Sequence, residues 1–276
     1  MPVLSTQPTQ LRNSELAGSL ARVRWLLQEL SIVTINIRTF IGGREIPRGQ
    51  VLDWERRRAL VVLKRLGGKP TGNEDLVTLR NQVLDRKIAL GSNGIRQLLQ
   101  HELAMSQPVA NFVARISYGR RRFSVTELLV DRGSASEFVD WFLKRTELND
   151  ELAMLAASPD HYVIQTNANG AQEVIETTGG SPLVGRFMID YQDLSSLRSP
   201  PDPAYPYQAA GVAKAENGLV IGGVRHQFRN EGLGFRAKLT VEFPTMIIPG
   251  AVSAHRWHLA SEFSNWIEAA FAPLSD

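Results

Sequence analysis

The sequence predicts an α+β protein. A mainly helical N-terminal region covers 1–108, and an antiparallel sheet with one long C-terminal helix covers 109–276. Three observations predict it. Ahead of Pro108 most apolar residues recur three and four positions apart, the period of a helix with one buried face. Beyond it come short strand-like runs separated by turn residues, the pattern of antiparallel strands. The chain then closes with a helical pattern from about 250 to 271.

The elements follow in order. "SELAGSLARVRWLLQEL" (14–30) puts Leu16, Leu20, Val23, Leu27 and Leu30 at helical spacing, with Ser14 placed to cap it. "IVTINIRTFI" (32–41) alternates as a strand and stops at Gly42 and Gly43. "QVLDWERRRALVVLKRL" (50–66) is a helix closed by Gly67 and Gly68. "NEDLVTLRNQVLDRKIAL" (73–90) and "GIRQLLQHELAM" (94–105) are two more, and Pro108 ends the region with a boundary near 106–110. "VANFVARISYG" (109–119) reads as a strand, while "RFSVTELLV" (122–130) is ambiguous. Residues 134–158 read as one helix or two. Six strand-like runs follow: 161–166, 172–177, 183–191, 207–215, 219–228 and 234–243. Asn217 and Gly218 are a strong hairpin signal. In the last run Phe235, Ala237, Leu239, Val241 and Phe243 share one face, and Arg236, Lys238, Thr240 and Glu242 share the other, as in a half-buried antiparallel strand. The Pro-rich stretch 194–206 is either a lid over a cavity mouth or a plain linker.

With 43% hydrophobic and 21% charged residues, the chain has the balance of a soluble protein with a sizeable core. No apolar run is long enough to span a bilayer, so no membrane partner is expected. The start lacks a secretory pattern, so the cytoplasm is the expected compartment. The absence of cysteine excludes disulfides and thiolate chemistry, so any metal must use histidine and carboxylate ligands. The net charge is +7 over 1–108 and −4 over 109–276. "WERRRALVVLKRL" (54–66) and "YGRRRF" (118–123) could meet nucleic-acid phosphates. The helix over 50–66 also buries Leu52, Leu60, Val61 and Leu63, however. Its arginines therefore read as a wet face, and nucleic acid is not the expected partner. The N-terminal region could pack as a lid or make a homo-oligomer. No G-x-S-x-G, P-loop or G-x-G-x-x-G motif is present.

"HRWHLASEFSNWI" (255–267) carries the chemistry. His258 and Glu262 lie one helical turn apart, beside the apolar stripe 259, 263, 266 and 270. An H-x-x-x-E pair offers one nitrogen and one carboxylate to a single cation. His255, near the helix start, is expected to be exposed. "HYVIQT" and "QEVIET" flank "NANG" (167–170), and a four-residue loop there pairs His161 with Glu176. A turn at Asn169 and Gly170 would shift the partner to Thr178. A curved sheet closing on the helix could then gather His161, Glu176, His258 and Glu262, a set suited to zinc or a similar ion. His226 shares the interior face with Phe235. It could replace His161 or bind a ligand oxygen. Arg225 and Arg229 on the alternate face read as solvated.

The element order over 109–276 resembles the Bet v 1/START-like superfamily, whose helix-grip fold wraps a curved antiparallel sheet around a long C-terminal helix. Within it, the His, Glu, His, Glu order is similar to that of the diacetylphloroglucinol hydrolases. Those enzymes bind zinc with a His and a Glu from the sheet and an H-x-x-x-E pair from the helix. The interval from His161 to Glu176 is shorter here than in that group. The resemblance implies a cavity for a hydrophobic or aromatic small molecule. It also implies zinc-dependent hydrolysis of a carbon–carbon or related carbonyl bond, with Glu262 or a spare carboxylate moving protons. Tyr162 and Tyr191 are candidate hydrogen-bond donors to the ligand, and His226, Phe235 and Tyr191 are candidate ligand-binding residues. A non-catalytic carrier of a hydrophobic small molecule is the alternative.

Overall fold

Residue alternation along the last strand fixes which side of the sheet is inside. The computed structural model describes residues 35–272, so the helix expected over 14–30 and the first residues of the strand expected over 32–41 lie outside the described residues. The strands are β1 (Ile37–Ile41), β2 (Arg44–Ile46), β3 (Arg121–Val130), β4 (His161–Thr166), β5 (Gln172–Glu176), β6 (Gly185–Asp190), β7 (Tyr207–Lys214), β8 (Val220–Glu231) and β9 (Gly234–Pro244). They form one curved antiparallel sheet of nine strands in the order β2-β1-β3-β9-β8-β7-β6-β5-β4. Phe235, Ala237 and Leu239 are buried on the inner face of β9. Opposite them, His226 pairs with Leu239, Phe228 with Ala237 and Val224 with Val241, so His226 also points inward.

The helices are α1 (Arg48–Arg65), α2 (Leu76–Ile116), α3 (Ala135–Glu147), α4 (Glu151–Ala156) and α5 (Pro249–Ala270). The inner face of the sheet packs on α3 and α5. Phe138 and Phe142 of α3 meet Phe228, Phe263 and Trp266, with ring centroids 5.3 Å apart for Phe138–Phe228 and 5.0 Å for Phe142–Trp266. Truncating one such ring to alanine costs about 3–5 kcal/mol in a typical core. The helix α3 starts at a capping box of Ser134 and Glu137. The helix α5 begins at Pro249, whose missing N–H would be unpaired in a first turn anyway.

On the opposite side of β4, β5 and the start of β6, α1 and α2 form a second core. Ala59, Val62, Leu79, Val83, Ile95 and Leu99 pack there against Tyr162, Val163, Ile175 and Val184. Buried Glu55 accepts from Arg80 at 2.6 Å and from Asn265 at 3.1 Å, which ties α1, α2 and α5 together.

The helix α2 corrects part of the sequence reading. The expected helices over 73–90 and 94–105 meet at Gly91, whose left-handed conformation (φ 62°, ψ 166°) breaks the helical path. The second half then continues through Pro108 to Ile116, where a helix stop and a strand over 109–119 are expected. Ala110, Val113 and Ala114 recur at helical spacing and face the protein, and this packing outweighs the β-branched composition of the segment. The expected boundary at 106–110 falls inside this helix, and Ile35–Phe271 is one compact unit. The residues over 134–158 form two helices, α3 and α4, and 122–130 is strand β3.

The Pro-rich stretch 194–206 lies on the outer face of β8 and β9, away from the gripped helix. Glu242 accepts from the Arg198 N–H at 2.8 Å and the Ser199 N–H at 2.7 Å. Arg225 donates to the Ser199 carbonyl at 3.0 Å and is only 6% exposed, so it is a buried clamp rather than a solvated charge.

Candidate metal centre

The site begins with an irregularity in β4. Thr166 pairs with Gln172, Ile164 with Val174 and Val163 with Ile175. A bulge then intervenes, and His161 pairs with Glu176. The loop is one residue longer than a four-residue turn. Asn167 donates its N–H to the Ala171 carbonyl at 2.9 Å, and its side chain accepts from Asn169 and Ala171. The expected His161–Glu176 pair is therefore present, but it arises from a shifted register that the bulge corrects. The bulge also puts Tyr162 and Val163 in the outer core, while Ile164 and His161 face inward.

From the other side, α5 presents His255, His258 and Glu262 at helical spacing. His161 Nε2 lies 2.9 Å from Glu262 Oε2, and His258 Nε2 lies 3.2 Å from the same oxygen. Glu176 Oε2 is 3.5 Å from His258 Nε2 and 3.8 Å from His161 Nε2. His255 is 4% exposed, contrary to expectation. The inner face of the sheet reaches the first turns of α5, so His255 Nδ1 meets Ser124 Oγ at 3.3 Å and its ring stands edge-on to Phe243. The short 3-10 turn Thr178–Gly180 closes the same end. Gly179 (φ +57°) lies so near α5 that a Cβ would come within 2.4 Å of the His255 nitrogen.

Two groups of three buried donors result: His161, His258 and Glu262, and Glu176, His255 and His258. Within each group the donor atoms lie within 4.8 Å of one another. These buried groups could hold a metal ion. The hydrogen bonding of His258 fits that use. Both ring nitrogens are buried and neither has a hydrogen-bond partner, although two carboxylate oxygens lie near Nε2. An unpaired polar nitrogen in such a place is costly unless something else satisfies it. The other imidazole, His161, places Nδ1 3.1 Å from the Met154 carbonyl, which leaves Nε2 for the cluster.

The charges are mutually set. Burial alone would push the carboxyls of Glu262 and Glu176 up, but the neighbouring imidazoles, His258 foremost, hold both below the usual carboxylate range. Burial alone would push His258 down. Glu262, Glu176 and Asp160 outweigh it and raise His258 well above an ordinary histidine. His255 and His226 follow burial, and each is lowered to about 4.

The cluster borders a cavity of about 360 Å³ with mostly apolar walls, between the sheet and α5. The second half of α2 contributes Val109, Ala110 and Val113 to its rim, beside Ile247 and Ile248. His226 lines it, with its ring 4.7 Å from Phe263 and its Nδ1 buried without a partner. Tyr191 lines it too and donates to Gln172 Oε1 at 3.3 Å. Two expected residues lie elsewhere. Tyr162 is turned to the outer core by the bulge, where its hydroxyl accepts from Arg65 at 3.1 Å. Phe235 is spent in the aromatic core against Phe138 and Phe271. Sequence reasoning counts His255 among three potential ligands, one turn before His258 on the same side, but expects it to be exposed, whereas it is buried. The same reasoning missed Asp160 and its partner Arg58, whose only local signal is the Asp160-His161 adjacency.

Fold and site together define an α+β protein, compatible with a helix-grip architecture, in which sheet and C-terminal helix enclose a buried histidine–carboxylate cluster. No protein-family model matches the chain, and no curated protein matches it. Among the described residues no helix is long and apolar enough to cross a membrane.

Proposed function

We propose that the chain is a zinc-dependent hydrolase of a carbonyl-bearing, aromatic small molecule bound between the sheet and α5. The observation that carries this reading is His258, buried with neither ring nitrogen in a hydrogen bond and with Nε2 facing two carboxylates at 3.2 and 3.5 Å. His161, His258 and Glu262 form a two-histidine, one-carboxylate set of the kind that leaves a coordination position open. When bound there, a zinc ion supplies polarisation of a carbonyl and a lowered pKa for water. Glu176, whose carboxylate lies 3.5 Å from His258 Nε2 and 3.8 Å from His161 Nε2, is the group that would take the proton of the attacking water. The water oxygen bonds to the carbonyl carbon, the bond from that carbon to the ring breaks, and the ring carbon keeps the electron pair and takes up a proton. His226 Nδ1 and the Tyr191 hydroxyl border the space where an aromatic ligand's oxygens would lie.

The apolar walls favour a second reading, a carrier that binds a hydrophobic molecule without changing it. Elemental analysis of protein purified without an affinity tag, followed by assay against acylated phenols, separates the two. Stoichiometric zinc, lost in His258→Ala, together with release of the free acid supports the hydrolase. Metal-free protein that retains an aromatic compound or lipid supports the carrier.

A further inference from the structure

His258 turns Nε2 toward Glu176 and Glu262, which leaves Nδ1 facing Asp160. Asp160 Oδ2 is 4.0 Å away, and Nδ1 is buried with no hydrogen-bond partner. A direct bond needs the two atoms about 1 Å closer. Asp160 is fully buried, lies outside the cavity wall, and is gripped from behind. Arg58 of α1 donates to it from Nη2 at 2.7 Å and from Nε at 3.0 Å, and the Thr177 hydroxyl donates to it as well. Trp54, one turn before Arg58, sets its ring edge-on to His258 at 6.3 Å. Burial alone would raise Asp160; His258 and Arg58 instead hold it well below the usual carboxylate range.

We propose that Asp160 is a positioning residue for the metal centre: it accepts the Nδ1 proton of His258, keeps Nε2 as the donor atom, and is itself fixed by Arg58 and Thr177. A carboxylate on the far nitrogen of a ligating imidazole sets its tautomer and orientation and makes it a stronger ligand. The inference rests on the metal reading above. It gives α1 a part in the site: the arginine that looks solvated in the run Arg56 to Arg58 backs the histidine that binds.

The test is the zinc affinity of metal-stripped protein, measured against a competing chromogenic chelator, for Asp160→Asn, His258→Ala, the double variant and Thr177→Val. Loss of such an outer carboxylate costs about 10–100-fold in affinity, and Asp160→Asn is expected to lose that much. If Asp160 acts through His258, the double variant binds no more weakly than His258→Ala alone. Thr177→Val, which removes one donor and leaves Arg58 in place, is expected to lose several-fold. Wild-type affinity in folded Asp160→Asn, or an equal loss with and without His258, overturns the proposal. If Asp160→Asn does not fold, Thr177→Val decides, and wild-type affinity there overturns it. An unchanged affinity in His258→Ala overturns this proposal and the metal reading together, so the two failures are distinct.

Discussion

His161 Nε2 and Glu262 Oε2 stand 2.9 Å apart, the shortest link between sheet and C-terminal helix within the cluster. One comes from the first residue of β4 and the other from the fourth turn of α5, so the pair exists only when the sheet has closed on the helix. Both side chains are nearly inaccessible. A ligand that binds this pair therefore binds the folded state and not the unfolded chain, and its binding energy adds to stability.

Removing metal should for that reason lower stability. A ligand present at 1,000 times its dissociation constant adds about 4 kcal/mol to the native state. Treatment with a strong chelator should lower the thermal midpoint, and added zinc should restore it. Glu262→Gln should show a much smaller chelator effect, since its amide is a poor ligand. Scanning calorimetry of the two proteins with and without chelator checks this.

The Thr178–Gly180 turn should tolerate no side chain at Gly179. Its positive φ costs any other residue about 1–2 kcal/mol, and the added Cβ would also meet the α5 backbone at 2.4 Å. Gly232 has a similar φ of +64° with nothing near it. Gly232→Ala should therefore cost only the conformational strain, and Gly179→Ala distinctly more. Urea unfolding of both variants measures the difference, and equal losses would show that the close approach is absent in solution.

His226 should make the protein acid-sensitive. Its pKa is lowered to about 4 by burial, against about 6.5 in an unfolded chain. Between these values the unfolded state binds more protons, so stability falls as pH drops from about 6.5 toward 4. The shift corresponds to about 3 kcal/mol at full extent. Unfolding free energies measured at pH 7 and pH 5 should differ less in His226→Gln than in the wild type. An identical pH slope in the variant would assign the effect elsewhere.

Filling the cavity should separate ligand binding from metal binding. Val241 lines the cavity on β9. Val241→Trp should abolish binding of a naphthol-type fluorescent probe and leave zinc affinity within a few-fold of wild type. Overpacking costs about 1–3 kcal/mol in stability. Probe titration and chelator competition on one preparation report both quantities.

Most strands could be read from the sequence because each carries its own signal. In β9 the period of two separates Phe235, Ala237 and Leu239 from Arg236 and Lys238 without reference to anything else. The segment after Pro108 carries no such signal. Val109, Ala110, Phe112, Val113, Ala114 and Ile116 fit a strand or a helix equally well, and only packing against the cavity rim selects the helix. The His161–Glu176 pair shows how a correct contact can follow from an incorrect register. The loop takes one more residue than expected, and the bulge at Tyr162 returns it. Sequence spacing cannot show a bulge, because no residue type demands one there. The same bulge explains why Tyr162 faces Arg65 rather than the cavity.

By itself the sequence determined the α+β class, the order of most elements, and the placing of His258 and Glu262 on one face of the last helix. These follow from local periodicity, which the backbone enforces residue by residue. Tertiary structure alone decided that α2 runs on past Pro108, that His255 is buried, and that Asp160 and Arg58 stand behind His258. Those outcomes depend on which surfaces meet across long stretches of chain, and burial, charge pairing and close backbone approach are settled only where surfaces meet.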